Sequence, residues 1–128
     1  MSCLAGRRVL VVEDDPLIAA ELRDTLADQG ADVVGPVPTV RAAIAAIAAS
    51  APDIAVLDVN LRNSTSAPVV DLLRAADVPH VLVTGYSRHQ LDDECLREAP
   101  IVSKPLRRGE LIATLESAVA RAPRRRRS

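Results

Sequence analysis

The sequence predicts an α/β fold, a doubly wound five-stranded parallel sheet flanked by helices on both faces. Short apolar runs rich in Val, Ile and Leu alternate with segments of helical periodicity along the 128-residue chain. The runs are uninterrupted, as expected of strands that are buried on both faces. Phe and Trp are absent and there is a single Tyr, so the core has to be built from aliphatic side chains. Right-handed crossovers turn such a βα alternation into a parallel sheet.

Five apolar runs are predicted to be strands. They occupy residues 9–12, 31–34, 54–57, 81–83 and 101–102. The second run is expected to stop at Gly35-Pro36, because both residues commonly interrupt a strand. A polar loop is expected over residues 60–66, between the third strand and the next helix.

Helical segments are predicted between these strands. Asp15 followed by Pro16 is a typical N-cap and first helical residue, and Gly30 is expected to close the first helix. Thr39 is expected to cap the second helix, whose apolar residues recur at i, i+3, i+4 and i+7. The remaining helices are predicted at residues 69–76 and 106–120, with a short one within residues 86–95.

Composition and charge exclude several classes of protein. The net charge of −1 argues against a nucleic-acid partner, and the basic run at residues 124–127 is expected to be a solvated tail. No apolar stretch reaches the roughly 20 residues that a membrane helix needs. Cys3 and Cys95 show no paired spacing, which favours a reducing, cytoplasmic location. We expect an N-terminal extension at residues 1–7, one domain at 8–121, and a disordered basic tail at 122–128.

Charged and hydroxyl side chains follow the predicted strands at the point where each strand ends. Glu13 and Asp14 follow the first strand, Asp58 the third, Thr84 the fourth and Lys104 the fifth. The carboxyl ends of parallel strands meet at one edge of a sheet, where ligands of such folds bind. Two carboxylates about 4 Å apart repel by roughly 4 kcal/mol at an effective dielectric near 20. An oxygen-rich, anionic cleft of this kind favours Mg²⁺.

This set of groups suits phosphoryl transfer. A carboxylate is a nucleophile, and a metal ion, a hydroxyl and a lysine can neutralise the oxygens of the transferred group. Each residue alone has a simpler explanation, because an acidic helix start or a turn aspartate is common. Their occurrence together at successive strand ends favours the functional interpretation.

Four stretches carry a resemblance to a known family over about residues 8–120. They are VLVVEDDPLIAAEL, DIAVLDVNL, VLVTGYS and IVSKPL. The sequence resembles the receiver domains of two-component response regulators. This resemblance implies a flavodoxin-like sheet with strand order 2-1-3-4-5, and a cis peptide bond between Lys104 and Pro105.

The resemblance also implies a role for each residue of the site. Asp58 would accept the phosphoryl group, with Thr84 and Lys104 as its catalytic partners. The residues that would hold Mg²⁺ are Glu13 (through water), Asp14, Asp58 and Asn60 (through its backbone carbonyl). Asn60 and Tyr86 would modulate the lifetime of the phosphoaspartate.

The sequence departs from the commonest receivers at one informative position. Many carry an aromatic switch residue three positions before the lysine, where this chain has Ile101. Residues 82–86 partly match a subgroup with a Phe-Ala-Thr-Gly-Tyr-like signature, whose members are often stand-alone receivers. We expect residues 86–98 to become ordered when Asp58 is phosphorylated, and a partner to dock on residues 86–119.

These features predict a single-domain response regulator without an output domain. It would accept a phosphoryl group from a histidine kinase or a histidine phosphotransfer protein and then bind a downstream protein, with phosphorylation-dependent dimerisation as an option. It would be a signalling switch and not an enzyme, catalysing only its own phosphorylation and dephosphorylation. The alternatives are a phosphorylation-independent docking module and a phosphohydrolase resembling haloacid dehalogenases.

Overall fold

The computed structural model describes residues 3–61, 64–85, 96 and 99–121. The strands in these residues are β1 (Arg8–Val12), β2 (Asp32–Val37), β3 (Ile54–Asp58), β4 (Asn60–Leu61), β5 (Ser64–Thr65), β6 (His80–Thr84) and β7 (Ile101–Ser103). The helices are α1 (Pro16–Asp28), α2 (Val40–Ala49), α3 (Ala67–Ala75) and α4 (Arg108–Arg121). None of these helices is both long and apolar enough to cross a membrane.

Five of the strands form one parallel sheet in the order β2-β1-β3-β6-β7. They are the five predicted strands in the predicted order, so the expected doubly wound fold is confirmed. Each strand is short, and β3 is buried along its whole length. All five carboxyl ends therefore lie at one edge of the sheet.

Aliphatic side chains fill the space on both faces of the sheet, as the composition requires. One core joins alternate strand residues such as Leu57 to α2 and α3 through Ile47 and Leu73. The other joins residues such as Val56 to α1 and α4. Residues of opposite parity on β3 point into different cores, which is the side-chain alternation of a strand.

Helix starts agree with the capping residues expected from the sequence. Asp15 Oδ1 accepts hydrogen bonds from the N–H groups of Leu17 (2.9 Å) and Ile18 (3.4 Å) at the start of α1. Thr39 Oγ1 accepts from the Ala42 N–H (3.0 Å) at the start of α2. Both side chains satisfy donors that have no partner within the helix.

The end of β2 was predicted wrongly. The strand does not stop before Gly35-Pro36 but continues to Val37, with a cis peptide bond between Gly35 and Pro36. Its pairing with β1 shifts register between Leu10 and Val12. Glycine and proline are tolerated here because β2 is an edge strand and the irregularity is a bulge.

The segment at residues 60–66 that was predicted as a loop also contains two short strands, β4 and β5. β4 and β5 pair as an antiparallel hairpin, with Asn60 opposite Thr65 and Leu61 opposite Ser64. Leu61 is buried in the core beside α2 and α3. One side chain of this mostly polar segment therefore belongs to the core.

Two helix boundaries differ by about one turn or less from the prediction. α3 begins at Ala67 and not at residue 69, and α4 begins at Arg108 and not at residue 106. Boundaries are the least certain part of any assignment from sequence. The short helix expected within residues 86–95 lies outside the described residues, as does the basic run at 124–127.

Candidate functional site

The carboxyl edge of the sheet brings together four of the side chains selected from the sequence. Asp58 is the last residue of β3, Glu13 and Asp14 follow β1, and Lys104 follows β7. Lys104 Nζ lies 3.1 Å from Asp58 Oδ2 and 3.8 Å from Glu13 Oε1. One ammonium group thus serves two carboxylates that come from different strands.

Asp58 and Glu13 are unusually buried for acidic residues. The exposed fractions of their side chains are 9% and 0%, whereas that of the Lys104 side chain is 28%. Buried carboxylates are costly unless they are paired or hydrogen-bonded. Asp58 Oδ1 receives one such bond from the Asn60 N–H at 3.3 Å, and Glu13 Oε2 receives one from the Asp15 N–H at 3.1 Å.

Burial dominates the electrostatics of Glu13. Loss of hydration, together with hydrogen bonding and repulsion from Asp58, raises the pKa of Glu13 from 4.5 to about 8. The Asp15 N–H and the Lys104 ammonium act in the opposite direction. The lysine therefore offsets only part of the rise in the pKa of Glu13.

The residues present fit a divalent cation. Carboxylate oxygens of Glu13, Asp14 and Asp58 lie within 4.8 Å of one another. Glu13 Oε1 is buried and has no hydrogen-bond partner among the described residues. A hard cation with oxygen ligands would give this atom a partner and offset the excess of negative charge. The donor set contains no thiolate or imidazole, which suits Mg²⁺ better than Zn²⁺.

The backbone of Asn60 contacts the cluster through its N–H, which donates to Asp58 Oδ1. Asn60 lies two residues after Asp58 and begins the β4–β5 hairpin, while its own side chain is exposed. The Ser66 N–H donates to the Val59 carbonyl at 2.8 Å, which closes the base of the hairpin. The segment that follows Asp58 is thereby held against the end of the sheet.

Thr84 ends β6 next to Asp58 in the sheet. Asp58 is paired with Val83, and Thr84 is buried with an exposed fraction of 1%. The Thr84 carbonyl accepts a hydrogen bond from the Lys104 N–H at 3.0 Å, which ties the ends of β6 and β7 together. The peptide bond between Lys104 and Pro105 is cis, as the resemblance implied.

Ile101 occupies the position at which many receivers carry an aromatic residue. It pairs with Leu82 and packs, half-buried, against the core beside α2 and α3. Tyr86, the second residue expected to modulate the phosphoaspartate, lies outside the described residues. The same holds for most of the segment at residues 86–98 that we expect to become ordered on phosphorylation.

Two backbone features of the site were missed by sequence reasoning. The Asp15 N–H binds Glu13 Oε2 in addition to the capping function of its side chain. The Val37 carbonyl accepts a hydrogen bond from the Glu13 N–H at 3.0 Å. Gly35-Pro36 was the only signal for the second contact, and it was interpreted as the end of a strand.

Comparison with known proteins identifies the family. The family model of the response regulator receiver domain matches residues 9–116. The chain belongs to the response regulator receiver domain family. The match covers every strand of the parallel sheet apart from the first residue of β1, and all of the acidic, hydroxyl and lysine positions described above.

Stand-alone and multidomain receivers are both similar to the chain. SdrG from Sphingomonas melonis Fr1 is 39% identical, with a TM-score of 0.77 over 94% of this chain and 99% of that one. The receiver domain of PhyR from Erythrobacter litoralis is 27% identical, with a TM-score of 0.82 over 99% and 100%. The phyllosphere-induced regulator PhyR of Methylorubrum extorquens is 29% identical over 87% of this chain and 43% of its own length.

The relatives differ in how much of their length is matched. This chain spans about half the length of the curated relatives it matches. SdrG, in contrast, is matched almost completely. A second structure of SdrG, from Pseudomonas melonis Fr1, is described as the BeF3-activated conformation and is 38% identical, with a TM-score of 0.73 over 88% of this chain and 98% of that one.

Proposed function

We propose that the protein is a response regulator that is switched by phosphorylation of Asp58. The observation that carries this proposal is the pairing of Asp58 with Lys104 at 3.1 Å inside a cluster of three carboxylates. Asp58 is the one member of the cluster that also ends a central strand of the sheet. It is therefore both rigidly held and placed next to a cation, as a nucleophile for an anionic phosphoryl group has to be.

The proposed reaction transfers a phosphoryl group from a phosphohistidine of a kinase or phosphotransfer protein. A carboxylate oxygen of Asp58 forms a bond to phosphorus while the P–N bond of the donor breaks. The electron pair of that bond stays on the donor's imidazole, which leaves as the neutral ring when its other nitrogen carries a proton. Lys104 pairs with the oxygens of the transferred group, and the Thr84 hydroxyl donates a hydrogen bond to one of them.

The acidic residues are assigned to metal binding. Glu13, Asp14, Asp58 and the carbonyl of Asn60 would hold Mg²⁺, which supplies positive charge to the phosphoryl oxygens when it is bound. Glu13 is assigned to this role because its oxygen Oε1 is buried and has no hydrogen-bond partner among the described residues. Asp15 keeps its place as the cap of α1.

The family relationship supports the same assignment. SdrG has been observed in a BeF3-activated conformation. It is also matched over nearly its whole length. We propose the corresponding behaviour for this chain, with residues 8–121 as the switching domain and residues 1–7 and 122–128 as flanking segments. The downstream protein, dimerisation on phosphorylation and a cytoplasmic location stay predictions.

Intact-mass spectrometry after incubation with acetyl phosphate tests the assignment of Asp58. We expect one added phosphoryl group in the wild type with Mg²⁺, none after chelation of the metal, and none in Asp58→Asn. Asp53→Asn is the matched control, because Asp53 precedes the same strand at its other end and accepts a hydrogen bond from the Arg8 N–H. That variant should be modified like the wild type.

The same experiment separates the alternatives. An adduct that persists in Asp58→Asn would place the acceptor elsewhere and contradict the proposal. Continuous release of phosphate from generic monoesters, dependent on Asp58, would favour a phosphohydrolase. A wild type that binds neither phosphoryl group nor beryllofluoride in the presence of Mg²⁺ would favour a phosphorylation-independent docking module.

A further inference from the structure

The bulge in β2 lies beside the acidic turn that follows β1. In the sheet, Leu10 is paired with Val34 and Val12 with Val37. β1 advances by two residues where β2 advances by three, so β2 contains one additional residue at this point. The additional residue places Val37 opposite Val12, the last residue of β1, and the Val37 carbonyl oxygen accepts a hydrogen bond from the N–H of the next residue, Glu13, at 3.0 Å.

That hydrogen bond fixes a residue whose side chain has little freedom of its own. Glu13 is 2% exposed, and its Oε2 is already held by the Asp15 N–H at 3.1 Å. The position of the Glu13 backbone therefore determines where its other oxygen, Oε1, lies in the carboxylate cluster. The Val37 carbonyl therefore influences the carboxylate cluster indirectly, by fixing the backbone of Glu13.

Gly35 makes this arrangement sterically feasible. Its φ angle is +94°, a conformation that residues with a Cβ rarely adopt. A Cβ at this position would lie 2.7 Å from the Val37 nitrogen and 3.0 Å from the Val11 carbonyl oxygen. Both atoms belong to the backbone, so no side-chain rotation relieves the contact. Val11 is on β1, two residues before Glu13, and Val37 provides the accepting carbonyl.

We propose that Gly35 is a positioning residue for the metal site, because it permits the bulge that places the Val37 carbonyl against the Glu13 N–H. This inference rests on the proposed Mg²⁺-dependent function. Any side chain at position 35 has to push Val37 away from the end of β1 or displace β1 itself. Either movement shifts the acidic turn relative to Asp58, which is fixed separately on β3.

Gly30 offers a matched control in the same chain. Its φ angle is +80°, so alanine meets a similar backbone penalty there. A Cβ on Gly30 would lie 3.4 Å from the Ala5 Cβ. Gly30 follows α1 and its carbonyl accepts a hydrogen bond from the Gly6 N–H, which places it at the opposite edge of the sheet from the acidic turn.

The test compares Mg²⁺ binding by the wild type, Gly35→Ala and Gly30→Ala in NMR titrations, with thermal denaturation of each. Altering a residue that supports a metal ligand typically weakens metal binding by about 10-fold to 100-fold. Gly35→Ala should therefore raise the dissociation constant for Mg²⁺ by about tenfold or more. Gly30→Ala should lower the melting temperature and leave the dissociation constant unchanged. Equal weakening in both variants, or none in Gly35→Ala, would overturn the inference.

A measurement on the wild type covers the case in which Gly35→Ala does not fold. Coupling between two sites is reciprocal, so a hydrogen bond that favours metal binding has to be strengthened by the metal. Amide exchange at Glu13 should slow on addition of Mg²⁺ by more than exchange at Asp32, whose N–H donates to Arg7 at the other end of the same strand pair. Equal slowing at both amides would overturn the inference.

The outcomes also separate this inference from the function on which it rests. A wild type that does not bind Mg²⁺ would overturn both together. A wild type that binds Mg²⁺ and is phosphorylated on Asp58, with Gly35→Ala equal to it, would overturn the role of Gly35 alone.

Discussion

The two edges of the parallel sheet differ in how completely their charged groups are paired. At the amino edge, where the strands begin, the Asp53 carboxylate accepts a hydrogen bond from the Arg8 N–H at 2.8 Å, and the Arg8 guanidinium donates to Ser50 Oγ. At the carboxyl edge, the buried carboxylates of Glu13 and Asp58 both pair with Lys104, the Asp14 carboxylate lies close to them, and Glu13 Oε1 has no hydrogen-bond partner in the described part of the chain.

Backbone contacts reinforce the amino edge further. The Arg7 N–H binds the Leu4 carbonyl, the Arg7 side chain binds the Cys3 carbonyl, and the Asp32 N–H binds the Arg7 carbonyl. This segment folds under the sheet and buries Leu4 completely in the core beside α1 and α4. The residues that we expected to be an N-terminal extension thus contribute a core side chain.

The amino edge contributes to the stability of the fold, whereas the carboxyl edge is suited to binding a ligand. Satisfied donors and a buried leucine lower the free energy of the folded chain by themselves. A cluster of carboxylates with too few cations raises it, and the cost is recovered only when a cation binds. Three substitutions or conditions, taken from the largest expected effect to the smallest, put this distinction to the test.

Leu4→Ala should give the largest loss of stability and no change at the metal site. Removing a fully buried leucine side chain costs about 3 kcal/mol, from the transfer of its atoms and the cavity left behind. Leu17→Ala is the control, since Leu17 is 81% exposed on α1 and its truncation should be nearly neutral. Chemical denaturation with and without Mg²⁺ measures both. A weaker metal affinity in Leu4→Ala would mean that the two edges are not independent.

Lys104→Met should destabilise the protein by about 2 kcal/mol, because it leaves buried carboxylates without a cation. Unlike the loss at Leu4, this loss should be largely recovered by Mg²⁺, which supplies the missing positive charge. Arg108→Met is the control, because the 2.9 Å pair of Arg108 with Asp28 is exposed and should contribute at most about 1 kcal/mol. Thermal denaturation over a series of Mg²⁺ concentrations distinguishes the two. An equal deficit at saturating metal would contradict the assigned role of the carboxyl edge.

Much of this comparison could be predicted from the sequence. Asp58 and Thr84 directly follow apolar runs and Lys104 follows one after a single serine, and the topology of a parallel sheet requires such residues to meet. The helix caps at Asp15 and Thr39 were predicted correctly because each depends on a local pattern, and the strand order followed from the family resemblance.

The parts that could not be predicted depend on contacts between distant segments. Gly35-Pro36 was interpreted as a strand end, since the sequence does not reveal that Gly35 has a positive φ and faces the Val11 carbonyl. Leu4 stands alone among small and charged residues, and only the structure shows that α1 and α4 leave space for it. The pairing of β4 with β5 after Asp58 was likewise missed, since the sequence does not reveal that Leu61 is buried in the core.

The pH dependence of metal binding should provide the smallest and most specific test of the carboxyl edge. The pKa of Glu13 is raised from 4.5 to about 8 in the folded protein without metal. Between pH 4.5 and about pH 8, Glu13 therefore keeps its proton in the folded protein, whereas the unfolded chain has released it. This contribution to stability is complete below pH 4.5 and is lost as the pH rises to about 8. Metal binding requires the ionised carboxylate and has to displace the same proton.

Mg²⁺ affinity should therefore increase by up to about tenfold per pH unit between pH 6 and 8, which corresponds to about 1.4 kcal/mol, and then level off. Glu13→Gln removes the titrating group and should bind more weakly, with little dependence on pH over this range. Titration calorimetry in buffers of different ionisation enthalpy measures the released proton directly. Equal proton release by the wild type and Glu13→Gln would show that a group other than Glu13 releases the proton when Mg²⁺ binds. The pH dependence of metal binding would then not arise from Glu13.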